Sequence, residues 1–158
     1  MPKQSAGLLL FRRQPSLEVL LVHPGGPFWK KKDAGAWSIP KGEYEDQEDP
    51  FAAALREFQE EVGPPPAGPF IPLGQVRQSG GKIVTAWAAE GDLDPASIHS
   101  NTFKIELPRG SGRMVEFPEI DREAWFSIEN AREKMIPAQT AFLDRLANQL
   151  DDPSSNRL

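Results

Sequence analysis

Glu57, Glu60 and Glu61 are spaced so that, on one helix, their carboxylates share a side. At about 100° per residue they fall well away from Phe51, Leu55, Phe58 and Val62, which recur as an apolar stripe. Local physics disfavours this arrangement. Glu57 and Glu61 are a like-charged i,i+4 pair, and Glu60 and Glu61 occupy the last turn, where the helix dipole favours cations. Two explanations compete. Arg56 can pair with Glu60, which makes the row an ordinary solvated face. Alternatively, a divalent cation reverses the repulsion, and hard Mg2+ takes a few carboxylates together with waters and phosphate oxygens.

Asp49 as N-cap with Pro50 at the first helical position starts this helix, and Gly63 with the prolines at 64 to 66 stops it. Before it, Ser5 to Arg12 and Leu17 to His23 read as a hairpin. A basic loop over Pro24 to Ala36 then leads to a short strand at Trp37-Ser38-Ile39, ended by Pro40. After the helix, Phe70 to Val76 and Lys82 to Glu90 read as strands joined at Gly80-Gly81. Asp92 to Asn101 reads as loop, Thr102 to Leu107 as a strand, Arg109 to Arg113 as a glycine-containing loop and Glu123 to Ser127 as the last strand. A short helix near Glu129 to Met135 precedes one starting at Pro137, with Phe142, Leu143, Leu146 and Leu150 on one side. The order implies an α/β (α+β) fold in which helices cover a mixed sheet. One domain is expected over residues 1–150, with a polar tail over 151–158.

Composition narrows the chemistry. With 158 residues, of which 39% are hydrophobic and 26% charged, the chain can bury a core and fold alone. It has no cysteine, which excludes disulfides, thiolate zinc sites and cysteine nucleophiles. A two-histidine metal site would need both His23 and His99. A net charge of -5 disfavours gripping long nucleic acid, whose affinity comes from lysine and arginine on phosphates. Small phosphorylated ligands stay open, because a divalent cation between protein and polyanion inverts the local field. No apolar stretch suits a signal peptide or membrane span, so a cytoplasmic protein without a membrane partner is expected. The oligomeric state is not legible.

From Gly42 to Gly63 the chain reads GEYEDQEDPFAAALREFQEEVG, which resembles the Nudix box. Gly42, Glu48, Arg56, Glu57, Phe58, Glu60, Glu61 and Gly63 stand at the motif's positions, and Pro64 departs from the usual aliphatic residue. The resemblance implies a Nudix-type mixed sheet between helices, with Glu57, Glu60 and Glu61 as ligands of Mg2+, or of Mn2+ in its place. The resemblance implies the Gly42 carbonyl as a further ligand and Glu48, Arg56 and Gly63 as the supporting shell. It also implies hydrolysis of a diphosphate linkage in a nucleoside diphosphate derivative, with Glu57, Glu60 and Arg56 in the catalytic machinery. A glutamate outside the box is expected as base or extra ligand. Glu119 is the candidate, because Glu119 to Trp125 resembles the acidic loop of the diadenosine tetraphosphate hydrolase branch; Glu116 is the rival, and Glu57 could itself orient the water.

Lys41, Lys82, Arg109 and Arg113 are candidates for phosphate contacts, and the Lys30 to Lys32 run reads as a solvated loop. For stacking on a base the candidates are Trp29, Trp37, Tyr44, Trp87 and Phe103, most of which must be core. Trp37-Ser38-Ile39-Pro40-Lys41-Gly42 resembles the segment preceding the box in dinucleoside polyphosphate hydrolases, which tilts the expected substrate that way. Nucleoside triphosphates and ADP-ribose are alternatives. A silent nucleotide sensor on the same fold is a further one, although no box glutamate is lost.

Overall fold

The computed structural model describes residues 2–95 and 101–151. Strands β1 (Gln4–Arg12), β2 (Glu18–Pro24) and β3 (Lys41–Glu43) precede helix α1 (Pro50–Glu61). Then come β4 (Phe70–Arg77), β5 (Ile83–Glu90), β6 (Thr102–Glu106), β7 (Met114–Pro118) and β8 (Ile120–Ser127). Helix α2 (Ile128–Lys134), a 3-10 turn at Pro137–Gln139 and helix α3 (Thr140–Asp151) complete the order.

The main sheet runs β4-β5-β1-β2-β8, with β3 also paired to β1. It is mixed: β1 and β5 are parallel and the other pairs antiparallel. Leu8 to Phe11 and Val19 to Val22 are continuous apolar runs because both faces of the sheet are covered. Leu8, Leu10, Leu20 and Val22 pack with Phe58 and Val62 of α1. The alternate residues Leu9, Phe11, Val19 and Leu21 pack with Met135, Phe142, Leu143 and Leu146 on the opposite face.

Several expectations need correction. Trp37-Ser38-Ile39 is not a strand; it makes single bridges, Ser38 to Val22 and Trp37 to Met135. The paired strand lies after Pro40, where Lys41 and Gly42 stand opposite Gly7 and Ala6. The segment is wedged between β1 and β2, since Leu8 N–H donates to the Pro40 carbonyl and Val22 and Ser38 exchange both backbone bonds. Met114–Pro118, to which no element was assigned from the sequence, pairs with β6 as a separate two-stranded sheet. In α1 only Phe58 and Val62 of the expected stripe are buried, and Phe51 and Leu55 are half-buried. Ala53 and Ala54 take the inward positions against Ala6, because small side chains let the helix approach β1 closely. The loop expected over Asp92 to Asn101 is described only up to Pro95 and at Asn101, and the expected tail lies beyond Asp151 outside the described residues, as does His99.

Glu123 is a buried exception. It stands opposite Val22 on the α1 side of the sheet, 8% exposed, and neither carboxylate oxygen has a partner. Burial, aided by the charge of Asp94, raises its pKa from 4.5 to about 7. A carboxyl raised in the folded state keeps a proton that the unfolded chain loses, so its contribution to stability falls as pH rises from about 4.5 to about 7. Glu123→Gln stays neutral throughout. It is expected to raise the melting temperature by a few degrees at pH 8 and to change it little at pH 5; equal shifts at both pH values would refute the assignment.

Candidate functional site

Helix α1 begins where Asp49 accepts from the Ala52 N–H at 3.0 Å, with Pro50 at its first position. It ends at Gly63, whose φ of 144° lies in the region glycine favours and whose N–H returns to the Phe58 carbonyl. Between these ends the helix presents Glu57 to β3. Gly42 is the contact: a Cβ built there would stand 2.0 Å from the Glu57 carboxyl carbon and 2.3 Å from each oxygen. The glycine of the motif is therefore required by the close approach of Glu57.

Arg56 organises the acidic side. Its Nε and Nη2 donate to the two oxygens of Glu48 at 2.9 and 3.0 Å, and Nη1 donates to Glu57 Oε1 at 2.9 Å. This fork raises the guanidinium pKa further, the Glu48 hydrogen bonds contributing most. Glu60 is drawn toward Arg56 at a long 3.5 Å and is 41% exposed. Arg56→Lys keeps the charge and loses the fork. A fall in kcat/KM of about tenfold to a hundredfold is expected from steady-state kinetics, and an unchanged value would remove the positioning role.

Glu57 and Glu61 are partly buried, whereas Glu60 is exposed. Among the described residues no three Asp, Glu, His or Cys side chains converge closely enough to hold an ion. The donor set nonetheless fits a hard divalent cation. Glu61 Oε2 is buried without a partner, and Glu57 lies desolvated against the Gly42 backbone. Burial raises the Glu57 pKa against the opposing pull of Arg56, with Glu60 and Glu119 adding to the rise. Burial, then the charge of Glu57, raises Glu61 from 4.5 to about 8.

These shifts carry a sign. Glu61 holds a proton in the folded state at neutral pH, and cation binding requires its ionised form. Affinity for Mg2+ is expected to climb with pH until about 8, with about one proton released per site at pH 7. Calorimetry in buffers of different ionisation enthalpy measures that proton; its absence would overturn the assignment.

A cleft of about 220 Å³ opens beside Glu61, lined by Lys41, Glu119, Trp29, Ser38 and Ile39 among others. Burial, and then the neighbouring Lys82 charge, lowers the Lys41 pKa. Glu119 faces Glu57 and Glu61 closely enough for its charge to raise both. Glu116 lies on β7 in the separate two-stranded sheet and does not line the cleft.

The remaining candidates fall elsewhere. Trp37 is 4% exposed, donates Nε1–H to Asp33 and meets His23 and Phe126 edge-on, so it belongs to the core and offers no face to a base. Tyr44 donates its hydroxyl to Gln4 and lines a separate recess with Lys3, Glu48 and Arg56. Lys82 pairs with Glu43 at 3.1 Å. Trp87 is half-buried with its edge toward Phe51, and Phe103 packs beside Phe117. Arg109 and Arg113 sit at the exposed β6–β7 turn. Trp29, 40% exposed, is the aromatic residue that the structure brings to the cleft.

Gln139 also supports the site from outside the motif. Wholly buried, it accepts from the Ile39 N–H at 3.0 Å and donates to Ser38 Oγ and Gln78 Oε1, which fixes the segment leading to Gly42. A glutamine at a helix start carries no signal of this role.

The NUDIX domain family model matches residues 1–146. Nudix hydrolase 25 of Arabidopsis thaliana is 62% identical over 29 residues, which span 18% of this chain and 17% of that protein. Among solved structures, a C. elegans Ap4A hydrolase binary complex superposes with a TM-score of 0.63 and 22% identity, covering 92% of this chain and 97% of that one. The NUDIX domain of Shewanella oneidensis NrtR, complexed with ADP ribose, gives a TM-score of 0.61 and 17% identity, covering 95% and 89%. At these identities the two structures establish a common fold.

Proposed function

Because this chain belongs to the Nudix family, we propose that it is a divalent-cation-dependent pyrophosphohydrolase whose substrate is a dinucleoside polyphosphate. The observation that carries the reading is the desolvated carboxyl group of Glu61, which lines one cleft with Glu119, Lys41 and Trp29 while Glu57 lies beside it against Gly42.

A phosphorus centre ringed by anionic oxygens repels an incoming oxygen nucleophile, so the reaction needs charge neutralisation, a held water and a proton acceptor. Glu57 and Glu61, with Glu60 and the Gly42 carbonyl, are the groups to hold Mg2+, or Mn2+ in its place. The cation, when bound, neutralises phosphate charge and acidifies water. Lys41 contributes a cationic contact to the phosphate chain from the cleft wall. Glu119, which lines the same cleft, takes the proton of the attacking water as one P–O bond forms and the bridging P–O bond breaks, the leaving phosphate oxygen departing with its nucleotide. Trp29 stacks on a base.

Two recesses flank the loop that carries Trp29: the cleft itself, and a second of about 300 Å³ lined by Gly26, Pro27, Lys30 and Phe117. That arrangement suits a substrate with two nucleosides, as does the similarity of fold to Ap4A hydrolase. The fold likeness to an ADP-ribose-bound domain makes ADP-ribose the comparison substrate.

The test is turnover with Mg2+ across diadenosine tetraphosphate, nucleoside triphosphates and ADP-ribose, with products resolved chromatographically. Asymmetric cleavage to ATP and AMP, fastest for the dinucleotide and abolished by chelation, is expected. A higher rate on ADP-ribose or triphosphates would remove the dinucleotide assignment, and binding without turnover would remove catalysis.

A further inference from the structure

His23 is wholly buried, and both ring nitrogens face acceptors. Nδ1 lies 2.8 Å from Asp121 Oδ1 and Nε2 lies 2.6 Å from the Lys32 carbonyl oxygen. A carbonyl oxygen has no proton to give, and neither has an ionised carboxylate. A neutral imidazole with one N–H satisfies one of the two, whereas the imidazolium satisfies both.

The Lys32 end of this bridge leads to the cleft. Lys32 N–H donates to the Trp29 carbonyl at 3.0 Å, and Lys32 Nζ stands 5.0 Å from the centre of the Trp29 ring. Trp29 in turn lines the cleft with Lys41, Glu61 and Glu119. We infer that His23 is a positioning residue whose two ring nitrogens tie the Trp29 loop to β8 and so set the aromatic wall of the cleft.

The charged surroundings are defined on each side. From β8, Asp121 faces the ring, and Arg122 Nε lies 3.6 Å from the same Asp121 oxygen. Trp37 meets the imidazole edge-on at 5.1 Å, with the Arg122 guanidinium 5.2 Å from its ring. Asp33 accepts from Trp37 Nε1 and is paired with Lys134 of α2. Arg122 competes with His23 for Asp121 from a longer distance. A side chain that reaches one of the two acceptors abandons the other, so removing the imidazole weakens the Lys32 link.

The kinetic part of this inference rests on the proposed function, and the spectroscopic part does not. The 15N signal of the Trp29 indole, assigned in the whole protein by comparison with Trp29→Phe, reports the position of the loop. His23→Gln is expected to shift that signal, because one amide group cannot reach both acceptors that the ring bridges. Asp121→Asn, at a partly exposed position that leaves the core untouched, is expected to shift it as well. A Trp29 signal indifferent to both substitutions would overturn the inference. In turnover, KM for the nucleotide is expected to rise about tenfold in His23→Gln with kcat steady, the size of a lost buried hydrogen bond; an unchanged KM, or a fall in kcat alone, counts against His23. If no nucleotide is turned over, the proposed activity fails and the indole signal decides His23 alone.

Discussion

Glu57→Gln is expected to lower kcat about a thousandfold while the protein still folds. The carboxylate is held from two sides, by Arg56 Nη1 at 2.9 Å and by the Gly42 backbone beneath it. The amide keeps the volume and loses the negative charge. Burial already disfavours that charge in the free protein, so its retention there is costly unless a cation compensates it. Removing the charge is accordingly expected to raise the melting temperature slightly in chelator and to abolish stabilisation by Mg2+. Rates and melting curves recorded with and without Mg2+ measure both effects together. A variant that kept wild-type turnover, or that was stabilised by Mg2+ as the wild type is, would detach Glu57 from the cation and with it the catalytic reading.

Gly42→Ala is expected to cost about a hundredfold in kcat/KM with little loss of stability. The backbone at Gly42 has no positive φ, so alanine suits its conformation. The obstacle is the Glu57 carboxyl group, 2.0 Å from the new methyl carbon. That group is the far end of a flexible side chain and can swing away. The cost therefore falls on placement of the carboxylate and spares the pairing of β3 with β1. Structure and activity together give the check: an unmoved Glu57, or undiminished turnover, would refute the account. Gly7→Ala makes the contrasting case. Its Cβ would meet the Pro40 carbonyl oxygen at 2.6 Å, a backbone atom with no freedom to leave.

The parts of this protein legible in its sequence are those governed by local rules. The start and stop of α1, the hairpin β1–β2 and the apolar side of α3 follow from capping, turn chemistry and periodicity. Strand β3 was misplaced because pairing opposite Gly7 and Ala6 is decided by the space between β1 and β2, and no property of Trp37-Ser38-Ile39 encodes it. At the site, the Nudix box is visible as spacing, and the ion pairs Arg56–Glu48 and Arg56–Glu57 follow from it. Glu119 was legible as a candidate from its resemblance. That Glu119 lines the cleft while Glu116 does not is decided by where β7 ends and β8 begins, which local sequence does not encode. Trp37 and Trp29 show the limit most clearly. Both stand near the box in sequence; only tertiary packing sends one into the core and leaves the other on the cleft.

Residues 37 to 43 are stitched to three neighbours: Trp37 to α2 and Ile136, Ser38 to β2, and Pro40 through Glu43 to β1. The loop bearing Trp29 is held to this seam by Asp33 on Trp37, to β2 by Lys32 on His23, and to β7 by Gly25 against Pro118. The proposed reaction centre and the proposed aromatic wall thus meet at the Asp33–Trp37 contact and rest otherwise on different elements. Randomising positions 26 to 31 is accordingly expected to change substrate preference more than it changes the placement of Glu57 and Glu61.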